Sequence, residues 1–219
     1  NVCFTNPGTS EMHFVAALDK VDGMRCVLGL FEGVVSGAAD GYARMTGTPA
    51  STLLHLGPGL GNALANLHNA KKAATPIVNI VGEHATYHIK HDAPLTADIE
   101  GIAGPVSHWV KTSPDAKSVA TDGAAAIAAA SAAPGQIATL ILPADTAWND
   151  ADGVADVPEI AGRGTVSDAA VTEAATALRS GEPTLLLLTG QALYQDPLDL
   201  AGGIAAKMGA DVMSQGSNA

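Results

Sequence analysis

The sequence predicts an α/β fold, a parallel sheet flanked by helices, followed by a shorter and truncated second α/β unit. Short apolar runs alternate with alanine-rich helical stretches, an order of elements that gives a parallel sheet covered on both faces. Aromatic residues make up only 4% of the 219 residues, while alanine and glycine are abundant. Such a composition suits helices packed closely on a sheet, and the chain is long enough to bury a substantial core.

The first part of the chain predicts four strands and the helices between them. Apolar runs bounded by glycine or proline mark the strands, and polar capping residues or acidic residues mark the helix starts. The predicted strands are Val2–Phe4, Arg25–Leu28, Ala50–Leu56 and Pro76–Val81. The predicted helices are Glu11–Leu18, Glu32–Met45 and Ala63–Ala74.

The second part predicts a polar loop, two more strands of the same sheet and then a segment without periodic apolar residues. The loop is Gly82–Glu100, and the strands Val106–Lys111 and Ile137–Leu142 enclose an alanine-rich helix, Asp122–Ala133. We therefore expect a first domain at residues 1–147 and, because aspartate, glycine and proline recur without periodicity, a linker at residues 148–164.

Residues 165–219 predict the start of a second α/β domain that is too short for a core of its own. Its predicted helices are Ser167–Arg179 and Leu198–Met208, and its predicted strands are Thr184–Leu188 and Asp211–Met213. The chain also begins without methionine inside a strand-like run. We expect it to be a piece of a longer protein.

Composition argues against several classes of function. The net charge of −11, without a basic run, predicts no nucleic-acid partner. No apolar run approaches ~20 residues and nothing resembles a signal peptide, so we expect a cytoplasmic protein without membrane contact.

Cys3 and Cys26 lie in apolar runs and are interpreted as buried thiols. No metal site is predicted, and His84, His88 and His91 are interpreted as solvated loop residues.

Glu32 stands where a predicted strand gives way to a helix, at the start of a stretch of small residues. A carboxylate there has an ordinary explanation, because negative charge at a helix N-terminus contributes ~0.3–1 kcal/mol. The alternative is a functional carboxyl group in a buried site. The spacing of residues alone leaves both explanations open.

A glycine-rich segment, Gly57–Asn62, follows the predicted strand that ends with His55 and Leu56. Such a segment lets a ligand approach the backbone and offers the N–H groups of a helix N-terminus. It matches neither the dinucleotide fingerprint nor a phosphate-binding P-loop, and a tight turn explains it equally well. His55 is either a ligand-facing residue or a hydrogen-bonded core histidine.

These candidates all follow strands of one predicted parallel sheet. Asn6–Thr9 follows the first strand, Glu32 the second and His55–Asn62 the third. Since the carboxyl ends of parallel strands lie at one edge, the three groups should meet in one crevice.

Several short motifs, in this order along the chain, together resemble the N-terminal pyrimidine-binding domain of thiamine diphosphate enzymes. The most similar groups are acetolactate synthase and benzoylformate decarboxylase, and the resemblance extends from Asn1 to about Trp148. The motifs are Asn6-Pro7-Gly8-Thr9, Phe31-Glu32, Ala39-Asp40-Gly41-Tyr42-Ala43-Arg44, Gly57-Pro58-Gly59 with Asn62, and Thr75-Pro76-Ile77-Val78.

The resemblance implies cofactor-binding roles for five residues. Glu32 would hydrogen-bond the aminopyrimidine ring and favour the tautomer that removes the thiazolium C2 proton, which makes it a catalytic residue as well. Pro7 and Gly8 would offer backbone contacts to the pyrimidine, and Pro58 and Asn62 would line the cofactor pocket.

Two further residues match positions that contact substrate in benzoylformate decarboxylase. Thr9 falls where that enzyme has a substrate-contacting serine, and His55 where it has a catalytic acid/base histidine. Acetolactate synthases usually carry a small polar residue at the histidine position and a Phe-Gln-Glu triplet at residues 94–96, which here are Pro-Leu-Thr. Gly57-Pro58-Gly59, in contrast, resembles acetolactate synthase.

The resemblance therefore implies thiamine diphosphate as cofactor, a small 2-oxo acid as substrate, and a decarboxylase or carboligase activity. It implies Mg2+ held by a C-terminal domain whose Gly-Asp-Gly…Asn motif does not occur in this sequence. The cofactor would lie between this domain and the partner subunit of a homodimer or homotetramer, so we expect the chain alone to be inactive. The alternatives are an acetolactate synthase large subunit and a non-catalytic α/β binding or regulatory module.

Overall fold

The computed structural model of the chain describes residues 1–160 and 162–216. Residue 161 of the predicted linker and residues 217–219 of the predicted second domain lie outside the described residues. The chain divides into two compact units, Asn1–Gly162 and Arg163–Ala219. The assignment of residues 1–147, 148–164 and 165–219 to domains and a linker of the family stays a prediction.

The first unit contains a six-stranded sheet in which every neighbouring pair is parallel. Its order is β2-β1-β3-β4-β6-β5. The strands are β1 (Val2–Asn6), β2 (Arg25–Leu28), β3 (Ala50–Leu54), β4 (Ile77–Glu83), β5 (Trp109–Thr112) and β6 (Ile137–Pro143). The predicted fold class, a parallel sheet flanked by helices, is confirmed.

Helices cover both faces of this sheet. They are α1 (Met12–Leu18), α2 (Glu32–Thr46), α3 (Leu56–Lys72), α4 (Ile99–Ala103), α5 (Val119–Ser131) and α6 (Ala144–Trp148). Alternate residues of β4 enter two different clusters: Ile77 and Val81 pack with α2, α3 and α4, while Val78 and Ile80 pack with α5. The period-2 alternation of a strand thus divides one apolar run between two cores.

The glycine-rich segment is helical rather than a loop. β3 ends at Leu54 and α3 begins at Leu56, so Gly57–Asn62 forms the first turns of the helix. Proline and glycine are tolerated there because the first four N–H groups of a helix have no partner within it. Leu56, fully buried, adopts a left-handed φ of +50°, a conformation that costs about 1–3 kcal/mol at a non-glycine residue.

The predicted loop Gly82–Glu100 is shorter than expected. β4 continues through Glu83, and α4 begins at Ile99, where the side chain of Asp98 accepts a hydrogen bond from the Gly101 amide at 2.8 Å. This is an N-cap. The other boundaries differ from the predicted ones by a few residues, within the usual scatter of helix and strand ends.

A polar network runs through the middle of the sheet. Asn79 of β4, fully buried, accepts from the Thr52 hydroxyl at 2.8 Å and donates to the Thr139 hydroxyl at 3.2 Å. Thr139 also shares a hydrogen bond of 2.7 Å with Ser107. The network links β3, β4 and β6 through side chains as well as backbone.

The two cysteines differ in exposure. Cys3 is buried, as predicted, and burial raises the pKa of its thiol to about 11. Cys26 is exposed, so the interpretation of both as buried was wrong. The reason is the strand order, because β2 lies at the edge of the sheet.

The second unit contains helices α7 (Asp168–Leu178) and α8 (Gln195–Met208) and a parallel pair of strands, β7 (Leu185–Leu188) and β8 (Asp211–Ser214). Leu185, Leu187 and Met213 are all more than half exposed. A two-stranded sheet is marginally stable on its own. In neither unit does a described helix have the length and apolar character needed to cross a bilayer.

Candidate functional site

The ends of three neighbouring strands meet at one edge of the first sheet. β2, β1 and β3 lie side by side, so the segments that follow them are adjacent in space. The side-chain amide of Asn6, at the end of β1, donates a hydrogen bond to the Gly29 carbonyl, just after β2, at 2.8 Å. The predicted convergence of Asn6–Thr9, Glu32 and His55–Asn62 is confirmed.

Glu32 is the first residue of α2 and is 8% exposed. Its Oε2 accepts a hydrogen bond from Asn62 Nδ2 of α3 at 2.9 Å. Its Oε1 receives no hydrogen bond from the described residues and lies beside Gly59, where a Cβ atom would come within 3.0 Å of it. One carboxylate oxygen is therefore held by the protein while the other remains available.

The packing of α2 against α3 fixes this pair. Asn66 of α3 donates to the Gly33 carbonyl at 2.6 Å and contacts the Ser36 hydroxyl at 3.2 Å. Gly37 leaves room for the Asn66 amide, since a Cβ atom there would stand 3.3 Å from it. Small residues on α2 thus allow the close approach that brings Asn62 to Glu32.

His55 stands between β3 and α3, and its side chain is 23% exposed. Its Nδ1 lies 2.8 Å from Oε2 of Glu11, whose side chain is 2% exposed. The same Oε2 accepts the Gly8 amide at 2.7 Å. A Cβ atom at Gly8 would overlap the His55 ring, so a glycine is required under the ring.

Sequence reasoning missed Glu11. It treats this residue as the start of a helix, whereas the structure has a 3-10 turn at Thr9–Glu11 before α1. The available signal was the position of Glu11 three residues after Gly8, where a glutamate side chain can reach back to a backbone amide. The contact with His55 spans 44 residues and could not be read from spacing.

The other predicted site residues lie around this edge. Pro7 is half-buried, and Thr9 and Pro58 are exposed. Thr9 borders an open cavity of about 220 Å3. The remaining residues that line this cavity are Ser10, His84, Ala85, Tyr87, His88, Ala144 and Trp148.

The three histidines of the predicted loop form a row rather than a ligand cage. The rings of His84 and His88 lie 5.5 Å apart between centroids, and those of His88 and His91 lie 5.6 Å apart. Among the described residues, no group of three or more His, Cys, Asp or Glu side chains has the arrangement of a metal site.

Two of the sequence motifs, Ala39–Arg44 and Thr75–Val78, contribute hydrogen bonds that stabilise the helices around the site. Arg44 donates to both carboxylate oxygens of Asp40, at 2.8 and 2.9 Å, and the Thr75 hydroxyl donates to Asp40 at 2.8 Å. These bonds tie the last turns of α2 to the connection between α3 and β4. Asp40, Arg44 and Thr75 therefore have a structural explanation.

Glu83, at the carboxyl end of β4, is a buried carboxyl group beside the candidate site. Burial raises the pKa of its side chain, and the His84 amide, which donates to it at 2.6 Å, lowers it to a smaller extent. The folded protein therefore favours the protonated form of Glu83. Its contribution to stability is present below the ordinary pKa of glutamate and is lost as pH rises through the raised value.

We predict that Glu83→Gln raises the melting temperature of the chain at pH 7, because it removes a buried charge and keeps an oxygen that can accept the His84 amide. The difference from wild type should shrink as pH falls through the raised pKa of Glu83 towards the ordinary value of glutamate. Thermal unfolding between pH 4 and 8 measures this, with the exposed Glu173→Gln as control. A difference that does not change with pH would contradict the assignment.

Comparison with known sequences identifies the relatives of this chain. Residues 1–102 match the thiamine pyrophosphate enzyme family, N-terminal TPP binding domain. IlvX of Mycobacterium tuberculosis, which bears the name of an acetolactate synthase large subunit, is 57% identical over 211 residues, covering 96% of this chain and 40% of that protein. Benzoylformate decarboxylase of Pseudomonas aeruginosa is 34% identical over 143 residues, covering 65% of this chain and 27% of that protein.

Solved structures agree. The thiamine diphosphate-dependent 4-hydroxybenzoylformate decarboxylase of Rhodococcus jostii RHA1 matches with a TM-score of 0.89 and 26% identity, over 99% of this chain and 42% of that one. Benzoylformate decarboxylase of Polynucleobacter necessarius matches with a TM-score of 0.82 and 26% identity, over 97% and 40%. The chain spans about two fifths of the length of IlvX and of these structures. It belongs to the thiamine diphosphate-dependent enzyme family, in the group of acetolactate synthase and benzoylformate decarboxylase, and carries the N-terminal cofactor-binding domain of that family.

Proposed function

We propose that this chain supplies the pyrimidine-binding part of the cofactor site in a thiamine diphosphate-dependent 2-oxo acid decarboxylase or carboligase. The observation that carries the proposal is Glu32, a buried carboxyl group with Oε2 held by Asn62 and Oε1 without a hydrogen bond from the described residues. When bound, thiamine diphosphate supplies an electron sink for the carbon–carbon bond that breaks as carbon dioxide leaves.

The residues present fit an aminopyrimidine. Glu32 is a buried residue whose Oε1 receives no hydrogen bond from the described residues, so this oxygen is free to pair with a ring nitrogen that carries or shares a proton. Gly59 beside it keeps space that a side chain would fill. Pro7 and Gly8 would contact the pyrimidine through their backbone, and Pro58 and Asn62 would line the pocket.

His55 and Thr9 are the proposed substrate-contacting residues. His55 keeps part of its side chain exposed at the same edge of the sheet, and it would exchange a proton with a bound 2-oxo acid. Thr9 offers a hydroxyl at the mouth of the adjoining cavity. His55 and Thr9 would contact the substrate, whereas Glu32 would contact the pyrimidine ring of the cofactor.

A second polypeptide surface is part of the same proposal. Leu30, Phe31 and Val34, at the start of α2 beside Glu32, are exposed apolar residues, and Leu30 is 89% exposed; Met45 in the last turn of α2 is 87% exposed. Exposed apolar patches of this kind mark interaction surfaces. We assign these exposed apolar residues to an interface with the partner subunit of a homodimer or homotetramer.

We further propose that Mg2+ and the diphosphate are held by a separate C-terminal domain and that the 219-residue chain has no turnover alone. The free thiols of Cys3 and Cys26 agree with a reducing, cytoplasmic location. The acidic net charge agrees with the absence of a nucleic-acid partner.

A second candidate, an acetolactate synthase large subunit, is favoured by the 57% identity to IlvX. The chemistry of the products separates the candidates. The complete protein is incubated with thiamine diphosphate, Mg2+ and either pyruvate or benzoylformate. Release of an aldehyde supports a decarboxylase, acetolactate from pyruvate supports the synthase, and bound cofactor without either product supports a non-catalytic module.

A further inference from the structure

Glu11 is a buried carboxyl group whose hydrogen bonds join the segment after β1 to His55. Its Oε2 accepts two hydrogen bonds, from the Gly8 amide and from His55 Nδ1. Its Oε1 is buried without a partner among the described residues and is pressed against Gly82, where an added Cβ atom would overlap it. The hydrogen bonds that the described residues make to this carboxyl group therefore all go to Oε2.

The surroundings of Glu11 are closed. A cavity of about 10 Å3 beside it has at most the space of one water molecule, and Ser10, Phe14 and Gly82 are among its lining residues. The side chain of Glu11 is only 2% exposed, and the Gly8 amide holds its Oε2 in place.

The His55 ring is held from two sides. Gly8 lies so close to it that any side chain there would overlap the ring. Glu11 contacts one ring nitrogen, Nδ1, at 2.8 Å. A carboxylate can only accept a hydrogen bond, so it selects the form in which Nδ1 carries the proton, and this leaves Nε2 as the nitrogen with a free lone pair.

We infer that Glu11 is a positioning residue for His55: it sets the tautomer and the orientation of the ring so that Nε2 is presented at the edge of the sheet next to Glu32. Carboxylates that orient a histidine in this way are found in catalytic and metal sites of unrelated proteins. The positioning itself does not depend on the proposed function. Only its consequence for turnover rests on the proposed role of His55.

The tautomer of His55 is measured on the 15N-labelled 219-residue chain by long-range 1H–15N correlation at about pH 9, above the ordinary pKa of imidazole. Wild type should show a protonated Nδ1 and an unprotonated Nε2. Glu11→Leu, which has similar bulk and no acceptor, should lose this preference, and Glu11→Gln should keep part of it. The imidazole signals of the exposed His13 and His68 are internal controls.

A second variant tests the same contact in case Glu11→Leu does not fold. Gly82→Ala replaces neither Glu11 nor His55, but its methyl group would overlap Glu11 Oε1, so it should also weaken the tautomer preference. Gly41→Ala is the matched control, because an added Cβ atom meets nothing within 4 Å there. A His55 tautomer that is the same in wild type, folded Glu11→Leu and Gly82→Ala overturns the inference.

Turnover is a separate measurement on the complete protein. Glu11→Leu should lower kcat by about 10- to 100-fold with little change in KM, the effect expected of residues that orient a catalytic group. A changed tautomer with unchanged kcat supports the positioning and overturns the proposed role of His55. Absence of turnover in wild type overturns the proposed function and leaves the tautomer result valid.

Discussion

Glu32→Gln should lower kcat of the complete protein by about 10²- to 10³-fold, the loss typical when one essential proton-handling or charge-stabilising group is removed. The amide oxygen replaces Oε2 as the acceptor for Asn62. The amide nitrogen then occupies the position of Oε1, where it presents a fixed donor that cannot take up or release a proton. Binding of thiamine diphosphate should weaken by less than about tenfold, since most of its other contacts are unchanged.

The matched control is Glu100→Gln, the same substitution at an exposed position in the first turn of α4. It should leave kcat within about twofold of wild type, because Glu100 is exposed and the amide oxygen of glutamine can still accept the Thr112 hydroxyl. Steady-state kinetics and calorimetric cofactor binding separate loss of chemistry from loss of binding. Glu32→Gln with wild-type kcat would contradict a role for this carboxyl group in proton transfer.

Asn79→Ala should destabilise the first unit by about 2–4 kcal/mol, the largest effect on stability that we expect. Asn79 is fully buried between β3 and β6, and its removal leaves a cavity and takes a partner from the Thr52 and Thr139 hydroxyls. For a unit of this size the melting temperature should fall by about 5–12 °C.

Asn69→Ala is the control for this prediction. Asn69 is exposed on α3, where alanine is a better helix former, so the change should stay within about 0.5 kcal/mol of wild type. Thermal and urea unfolding followed by circular dichroism measure both variants. Equal stability of Asn79→Ala and wild type would show that the sheet does not depend on the polar network.

The elements that sequence patterns predicted well are those whose signal is local. Apolar runs such as Pro76–Val81 predict a buried strand from local signal, here observed as Ile77–Glu83, and parallel pairing then brings Glu32 and His55 to one edge. The N-terminus of α3 was misplaced, because glycine and proline disfavour a helix interior but are tolerated in the first turn.

The contacts that were missed depend on distances in space rather than along the chain. Glu11 and His55 are 44 residues apart, and Glu32 and Asn62 are 30 apart. No periodicity links such residues before strand order is known. The exposure of Cys26 has the same origin, since only the order of strands shows that β2 is an edge.

The most direct measurement of the central claim is the rate at which the C2 proton of bound thiamine diphosphate exchanges with deuterium in the complete protein. It is measured by quenched-flow NMR at saturating cofactor and Mg2+, for wild type, Glu32→Gln and Glu100→Gln. If Glu32 governs the proton on the pyrimidine ring, exchange should be about 10²- to 10³-fold slower in Glu32→Gln and unchanged in Glu100→Gln. Equal exchange rates in all three proteins, with cofactor bound, would contradict the account.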